Sequence, residues 1–392
     1  MRDLKECREA IDRIDSDLLR LLKERLEVAG DIARYKLDHN QGIVDRAREN
    51  AKLDSLARAG ADLGISPVMI TAVYKEIMAH TVSFEQSHIM ALLNEQPLTR
   101  DTSIAYLGTQ QGTYSHLAAL RFTRNHQGHV TYKGRSSFEE IIAAVENGEC
   151  EYALLPIENS SSGSINEVLD LISRTRAYII GEVFLPIDHS VLALPDVRLS
   201  DITDLYSHPQ PITQCSDFIK LTFPHATIHY TSSTSEAMQT VSELGSGTSA
   251  AIASRDSARL FNLVSLKDDI ANHKNNYTRF VVLALTPVMV PQNLEAKTSL
   301  IFSVQKYAPG SLIAVLDTFS RNGINLIKLN SRPRESETGE IWEEIFFADV
   351  LAHLDTPVMQ DILHKLKRLT SYLKVLGCYA SSDRPVHEVK RA

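Results

Sequence analysis

Nothing breaks a helix between Leu4 and His39. Leu4, Ile11, Leu18 and Ile32 fall on one seven-residue row, and Cys7, Ile14, Leu21 and Val28 form a second row beside it. A helix of about 35 residues is roughly 53 Å long at 1.5 Å per residue. No single small domain covers that length, so an apolar stripe running along it predicts a partner chain. After Asn40-Gln41-Gly42 a second helix is expected from about Val44 to Ala59. Ser66 then reads as an N-cap with Pro67 in the first turn of a third helix that continues to about Leu93.

Beyond this helical block (1–93) the pattern changes. The polar stretch Asn94–Thr102 reads as a linker, and Ser103–Leu107 as a short strand. Strands then alternate with helices, through Tyr152–Ile157 and on to a closing strand Thr278–Leu285. That alternation predicts an α/β domain (103–285) with a largely parallel sheet. The long excursion between Ile187 and Asn276 predicts two lobes with a cleft. Thr286–Ala296, with two prolines, reads as a second linker. The last block (297–379) runs strand, helix, strand, strand from Trp342, helix, strand, the βαββαβ order of a ferredoxin-like α+β domain. The final dozen residues are polar and expected to fray.

The 392 residues fit two to four domains. A net charge of −8 argues against a nucleic-acid-binding body, which needs a basic stripe for the phosphates. Apolar runs such as Phe280–Leu285 are too short to span a bilayer, and Met1–Asp17 lacks a signal-peptide core. Cys7, Cys150, Cys215 and Cys378 lie far apart, with no CxxC pair, and read as reduced thiols in a cytosol.

Arg25 occupies the heptad row where an apolar residue belongs, and a buried cation is costly unless paired. Arg8 lies at the edge of the same stripe, Lys36 four residues after Ile32, and Arg48 between Val44 and Ala51. Two readings are open. These cations converge on a small dianion where the helices pack, or they are snorkelling and salt-bridged surface residues. The spacing Arg8, Arg25, Lys36, Asp45, Arg48-Glu49, Thr81, Glu85 resembles the all-helical chorismate mutase that opens bacterial P-proteins. The resemblance implies an intertwined dimer in which Arg8 reaches the partner's site. It also implies that Arg25 and Arg48 hold the substrate carboxylates, that Lys36 meets the ether oxygen, and that Asp45 and Glu49 bind the ring hydroxyl. A Claisen rearrangement is unimolecular; it needs the reactive conformer held and charge stabilised on the breaking ether. One position departs. The family's glutamine on the third helix is here Glu85, with Gln86 beside it. A carboxyl group donates to the ether only when protonated.

Two turns in the α/β block look suited to anions. Gly108-Thr109-Gln110-Gln111-Gly112-Thr113-Tyr114-Ser115-His116 and Glu158-Asn159-Ser160-Ser161-Ser162-Gly163 each follow a strand and open a helix. Neither is a dinucleotide fingerprint or a Walker loop. Each alone is also explained by plain capping; together, at strand ends, they point into one crevice. With Ser207-His208-Pro209-Gln210 and Thr278-Arg279-Phe280, these residues resemble prephenate dehydratase. The resemblance implies a two-lobed fold of the periplasmic-binding-protein type, with no cofactor or metal. It places Ser115, His116, Glu158, Asn159, Ser160, Ser161, Gly163, Thr278, Arg279 and Phe280 around the substrate, and the hydroxyl-side role on Thr278. His116 and His208 are alternative acids.

The last block resembles an ACT domain. Gly310-Ser311-Leu312 and Asn330-Ser331-Arg332-Pro333 stand where that family has Gly-Ala-Leu and Glu-Ser-Arg-Pro. The resemblance implies L-phenylalanine bound between paired ACT domains, with Asn330 removing a carboxylate that would favour the ligand's ammonium. The expected whole is a homodimeric or larger bifunctional enzyme taking chorismate through prephenate to phenylpyruvate, under phenylalanine feedback. The competing reading is a ligand sensor built from a binding-protein fold and an ACT domain. A dehydrogenase partner for the mutase is excluded by the missing dinucleotide fingerprint.

Overall fold

The computed structural model describes residues 3–108, 111–273, 276–305, 309–334 and 343–382. Thr109, Gln110, Trp342 and the polar tail from residue 383 lie outside the described residues. The chain divides into two compact units, Met1–Arg100 with Met289–Ala296, and Asp101–Val288 with Lys297–Ala392.

The first unit holds α1 (Leu4–Asp38), α2 (Arg46–Asp62) and α3 (Pro67–Leu93). A capping box starts α1: Glu6 N donates to the Asp3 carboxylate (2.7 Å) and Asp3 N to the Glu6 carboxylate (3.1 Å). Within the chain α1 packs on α3 through the fully buried Ala29 and Ala33. The heptad rows do not join that contact. Leu4, Ile11, Leu18, Leu21 and Val28 are each more than half exposed. The chain supplies one helix against one side of α1, and the apolar stripe lies on another. Ser66 sits at the N-cap of α3, but its side chain makes no capping bond. Of the second expected linker, Thr286–Ala296, residues Met289–Ala296 pack with this unit. Asn94 Nδ2 donates to Met289 O (3.0 Å), Met289 N to Asn94 Oδ1 (2.7 Å), and Asn293 Nδ2 to Gln41 O (2.8 Å). Each of these pairs satisfies backbone groups that the irregular segments leave over.

The second unit contains three sheets. The first lobe is built from β1 (Thr102–Leu107), α4 (Tyr114–Phe122), β2 (Val130–Arg135), α5 (Phe138–Glu146), β3 (Tyr152–Asn159), β4 (Gly163–Ser164), α6 (Asn166–Arg174) and β5 (Tyr178–Pro186). The chain then forms a second lobe from β6 (Ser190–Ala193), β7 (Asp204–Ser207), α7 (Pro209–Gln214), α8 (Ser216–Thr222), β8 (Thr227–Tyr230), α9 (Thr234–Leu244), β9 (Ser249–Ala253) and β10 (Val264–Lys267). It returns to the first sheet as β11 (Tyr277–Ala284). The strand orders are β2-β1-β3-β11-β5, with β4 on β3, and β10-β6-β9-β7-β8. The two lobes are as expected, but both sheets are mixed. The returning β11 runs antiparallel to β3 and β5, and β6 antiparallel to β9 and β10.

The third sheet, β13-β14-β12-β15, comprises β12 (Ala296–Val304), β13 (Asn325–Arg334), β14 (Glu343–Leu351) and β15 (Thr370–Ala380), with α10 (Ser311–Arg321) and α11 (Pro357–Leu369). The βαββαβ order holds, and β13 runs on past Leu329. This module is not a separate body. Ile301, Ile345, Phe347, Leu376 and Tyr379 share one core with Leu155, Ile157, Val281 and Leu283 of the first lobe. At this junction β15 comes so close to β5 that a Cβ on Gly377 would lie 2.0 Å from the Ile179 carbonyl oxygen, so glycine is required.

Among the described residues no helix is long and apolar enough to cross a membrane. All four cysteines are free thiols, and burial pushes Cys215 up to about 12.

Candidate functional site

In the helical unit the close approach of α1 and α3 brings two of the expected residues together. Lys36 Nζ donates to Glu85 Oε2 and to Ile43 O, each at 2.7 Å. Both side chains are largely buried, Glu85 the more deeply, while Gln86 is half-buried. Thr81, one turn earlier on α3, is half-buried and donates its hydroxyl proton to Ile77 O at 2.7 Å. Asp45 caps α2, its carboxylate accepting from Arg48 N at 3.0 Å. Glu49 is half-buried, and Arg8, Arg25 and Arg48 lie exposed along α1 and α2. A single chain therefore builds the buried ion pair and leaves the three arginines facing solvent.

In the first lobe, β1 and β3 are parallel neighbours, so the two turns expected to bind anions open from adjacent strand ends. The β3–β11 register sets Thr278 opposite Asn159. Asn159 Nδ2 donates to Thr278 Oγ1 (3.0 Å) and Asn276 Oδ1 (2.7 Å). Its Oδ1 accepts from the backbone N–H groups of Ser161 (2.9 Å) and Ser162 (3.0 Å). Those donors fix which end of the amide is oxygen. Asn159 fills an acceptor position on the Thr278 hydroxyl, which leaves the threonine proton available to another acceptor. Ser160 Oγ accepts from Tyr277 N at 2.9 Å, and Gly163, at φ +82, makes the turn back along β3.

Ser115 and His116 are buried in the first turn of α4. His116 Nδ1 accepts from Gly112 N at 3.2 Å, so in the neutral ring the proton sits on Nε2. Burial holds the His116 pKa below the ordinary histidine value. His208 caps α7 instead, Nδ1 accepting from Gln210 N at 3.3 Å.

Three expected substrate ligands are corrected. Arg279 alternates with Thr278 along β11 and projects from the opposite face. Its guanidinium is buried and donates to Glu182 Oε2 (2.8 Å), Asp349 Oδ2 (2.6 Å) and Tyr379 Oη (2.9 Å). Burial opposes that cation, but Tyr379, Asp349 and Glu182 outweigh the penalty and push its pKa up. Glu158 also faces the C-terminal module, accepting from Lys328 Nζ at 2.8 Å. Phe280 is a core residue, 2% exposed among Ile104, Tyr106, Leu154 and Val183.

Glu182, Lys297, Asp349 and Tyr379 were not picked out from sequence. For the three charged ones the signal was a charge inside an otherwise apolar strand, as in Phe346-Phe347-Ala348-Asp349-Val350. Lys297 Nζ donates to Glu182 Oε1 at 2.5 Å, and Ser299 Oγ to Asp349 Oδ1 at 2.5 Å. A cavity of about 360 Å³ bordered by Asp188, Asp256, Asp268, Asp269 and Arg255 lies elsewhere in this unit. Its net negative wall is the wrong sign for a dianion.

In the C-terminal module Gly310, at φ +88, is the N-cap of α10, and Ser311 and Leu312 begin the helix, both half-buried. Lys328, Asn330 and Arg332 share one face of β13 by alternation. Arg332 is committed to its own chain: Nε and Nη2 donate to the Asp170 carboxylate of α6 at 3.1 and 2.5 Å. Asn330 Nδ2, between the two ion pairs, is buried without a hydrogen-bond partner among the described residues. Ser331 and Pro333 are exposed.

Comparison with known proteins reaches nearly the full length of the chain. Family models for chorismate mutase type II, prephenate dehydratase and the ACT domain match residues 7–86, 104–287 and 299–368. A bifunctional chorismate mutase/prephenate dehydratase from Enterobacter agglomerans is 40% identical over 376 residues, 96% of this chain and 95% of that protein. Two solved structures each cover 71% of this chain at 28% identity with a TM-score of 0.63. One is a prephenate dehydratase from Arthrobacter aurescens in complex with L-Phe, 90% of which is covered. The other, GqqA, 98% covered, is called a novel type of quorum-quenching acylase. Two activities on one fold show that the fold alone does not select the chemistry. The match over nearly the full length, mutase block included, does: this chain belongs to the bifunctional chorismate mutase/prephenate dehydratase family.

Proposed function

We propose that the helical unit rearranges chorismate to prephenate, that the two lobes convert prephenate to phenylpyruvate, and that L-phenylalanine inhibits through the C-terminal module. The observation that carries the reading is that each unit builds a buried polar pair from distant residues, Lys36 with Glu85 and Asn159 with Thr278, suited to its half of the sequence of reactions.

For the mutase, Arg25 and Arg48 hold the two carboxylates, Lys36 donates to the ether oxygen as it gains charge, and Asp45 and Glu49 take the ring hydroxyl. Thr81 lines the same helix face as Glu85. Glu85 orients Lys36 toward the ether oxygen through their 2.7 Å ion pair. Arg8 comes from a second copy. The exposed heptad rows support a homodimer, because a stripe of that size left in water is the usual mark of an interface.

For the dehydratase, the hydroxyls of Ser115, Ser160 and Ser161, with the Gly163 turn, grip the carboxylates. Thr278, oriented by Asn159, donates a hydrogen bond to the departing hydroxyl oxygen, which takes its proton from solvent to leave as water. The ring C–O and C–CO2 bonds break together; the electrons of the latter complete the aromatic ring as that oxygen leaves. A neutral His116 offers an Nε2 proton on the same side. The L-Phe complex of the Arthrobacter protein supports phenylalanine as effector, and the four free thiols suit a cytoplasmic location.

The test is separability. Arg25→Ala is expected to cut mutase kcat/KM at least a hundredfold and leave the dehydratase within twofold; Thr278→Ala is expected to do the reverse. Loss of both activities from one folded variant would overturn the two-site assignment.

A further inference from the structure

Along β3, Ala153, Leu155 and Ile157 face the C-terminal module, as members of the core it shares with the first lobe, while Leu154 faces the other side with Phe280. Simple alternation would send Asn159 toward the module as well, away from Thr278. It does not, because the register against β11 slips here. Thr278 pairs with Asn159 and Arg279 with Glu158, but Phe280 pairs with Pro156, so Ile157 is an extra residue. This bulge puts Ile157 and Glu158 on the same side and turns Asn159 to the other. The aim of Asn159 at Thr278 therefore depends on Glu158 being held on the module's side, where it meets Lys328 Nζ at 2.8 Å.

The surrounding charges fit that role. Lys328 is opposite Asp349 in the β13–β14 register, Asp349 binds Arg279, and Arg279 is opposite Glu158 in the β3–β11 register. Two ion pairs thus tie the module to the first lobe, one to β3 and the other to β11, between residues that neighbour each other in the register of each sheet. Each tie falls on the residue beside a member of the Asn159–Thr278 pair.

We propose that Lys328 and Glu158 are positioning residues of the dehydratase, holding the β3 bulge that aims Asn159 at Thr278, so that the module's sheet is part of the catalytic apparatus. This rests on the dehydratase reading above. Neither residue touches substrate in this account; both act through Asn159.

The experiment is a double-mutant cycle on the full-length protein with prephenate. Lys328→Met is expected to lower kcat about tenfold with KM within twofold, and Lys328→Arg, which keeps the ion pair, to stay within twofold of wild type. In an Asn159→Ala background Lys328→Met is expected to add less than a twofold loss. A loss under fivefold in the wild-type background, an equal loss in both backgrounds, or a parallel loss in Lys328→Arg and Lys328→Met that follows their unfolding midpoints would each overturn the proposal. Wild-type protein that forms no phenylpyruvate would instead overturn the dehydratase reading.

Discussion

Arg8, Arg25 and Arg48 lie exposed along the helices of the first unit, whereas Arg279 and Lys297 in the second are buried in a network with Glu182, Asp349 and Tyr379. The exposed arginines fit a site completed from outside the chain, by a dianion and a second copy. The buried set is completed within the chain, its partners drawn from strands up to about 115 residues apart in sequence. Burial of a charge needs partners already fixed in place. In this chain that condition is met where the C-terminal module packs on the first lobe.

Breaking the buried set is expected to give the largest effect. Arg279→Met leaves the buried Asp349 without its cation and Glu182 with Lys297 alone, a loss of about 3–5 kcal/mol. Calorimetry is expected to show the second unit's transition falling, with dehydratase activity lost and mutase activity kept. A mutase that fell with it would mean the two units do not stand independently.

The shared-site side of the comparison is sharpened by mixing inactive Arg8→Ala and Arg25→Ala chains. If Arg8 crosses over, one site of each heterodimer carries both defects and the other none, and mutase activity returns to about a quarter to a half of wild type, depending on the heterodimer fraction. Proven heterodimers without recovery would assign Arg8 to its own chain.

Glu85→Gln bears on the ion pair buried in the helical unit. The glutamine keeps the shape and supplies an amide donor to the ether oxygen, so mutase kcat/KM at neutral pH is expected to equal or exceed that of wild type. A clear loss of kcat/KM would mean that the carboxylate's hold on Lys36 is what the site needs from this position.

The smallest expected effect is on stability. Burial holds His116 and His189 below their ordinary value of 6.5, so between the folded and unfolded pKa values the unfolded chain binds more protons. Stability of the second unit then rises with pH through that window and is lost as pH falls below 6.5, by at most about 1.4 kcal/mol per pH unit per histidine. His116→Gln is expected to reduce that slope in chemical unfolding; an unchanged slope would leave His189 as its source.

Much of the architecture was legible in the sequence because it is periodic and local. The heptad rows and the absence of a helix breaker gave α1, Pro67 gave the start of α3, and the order of short apolar runs gave the two-lobed α/β block and the βαββαβ module. The site pairs Lys36–Glu85 and Asn159–Thr278 were reachable through their motifs. Which way a motif residue points was not. Thr278-Arg279-Phe280 reads as one ligand set, but a strand sends neighbours to opposite faces, and these three go to the site, the module and the core. Glu158 and Asn159 were separated by a bulge, which depends on the register between two strands that are about 120 residues apart and leaves no local trace. The mixed sheets, the docking of Met289–Ala296 and the burial of Lys297 were likewise decided by tertiary packing, because a buried polar group chooses its conformation by where its partner lies in space.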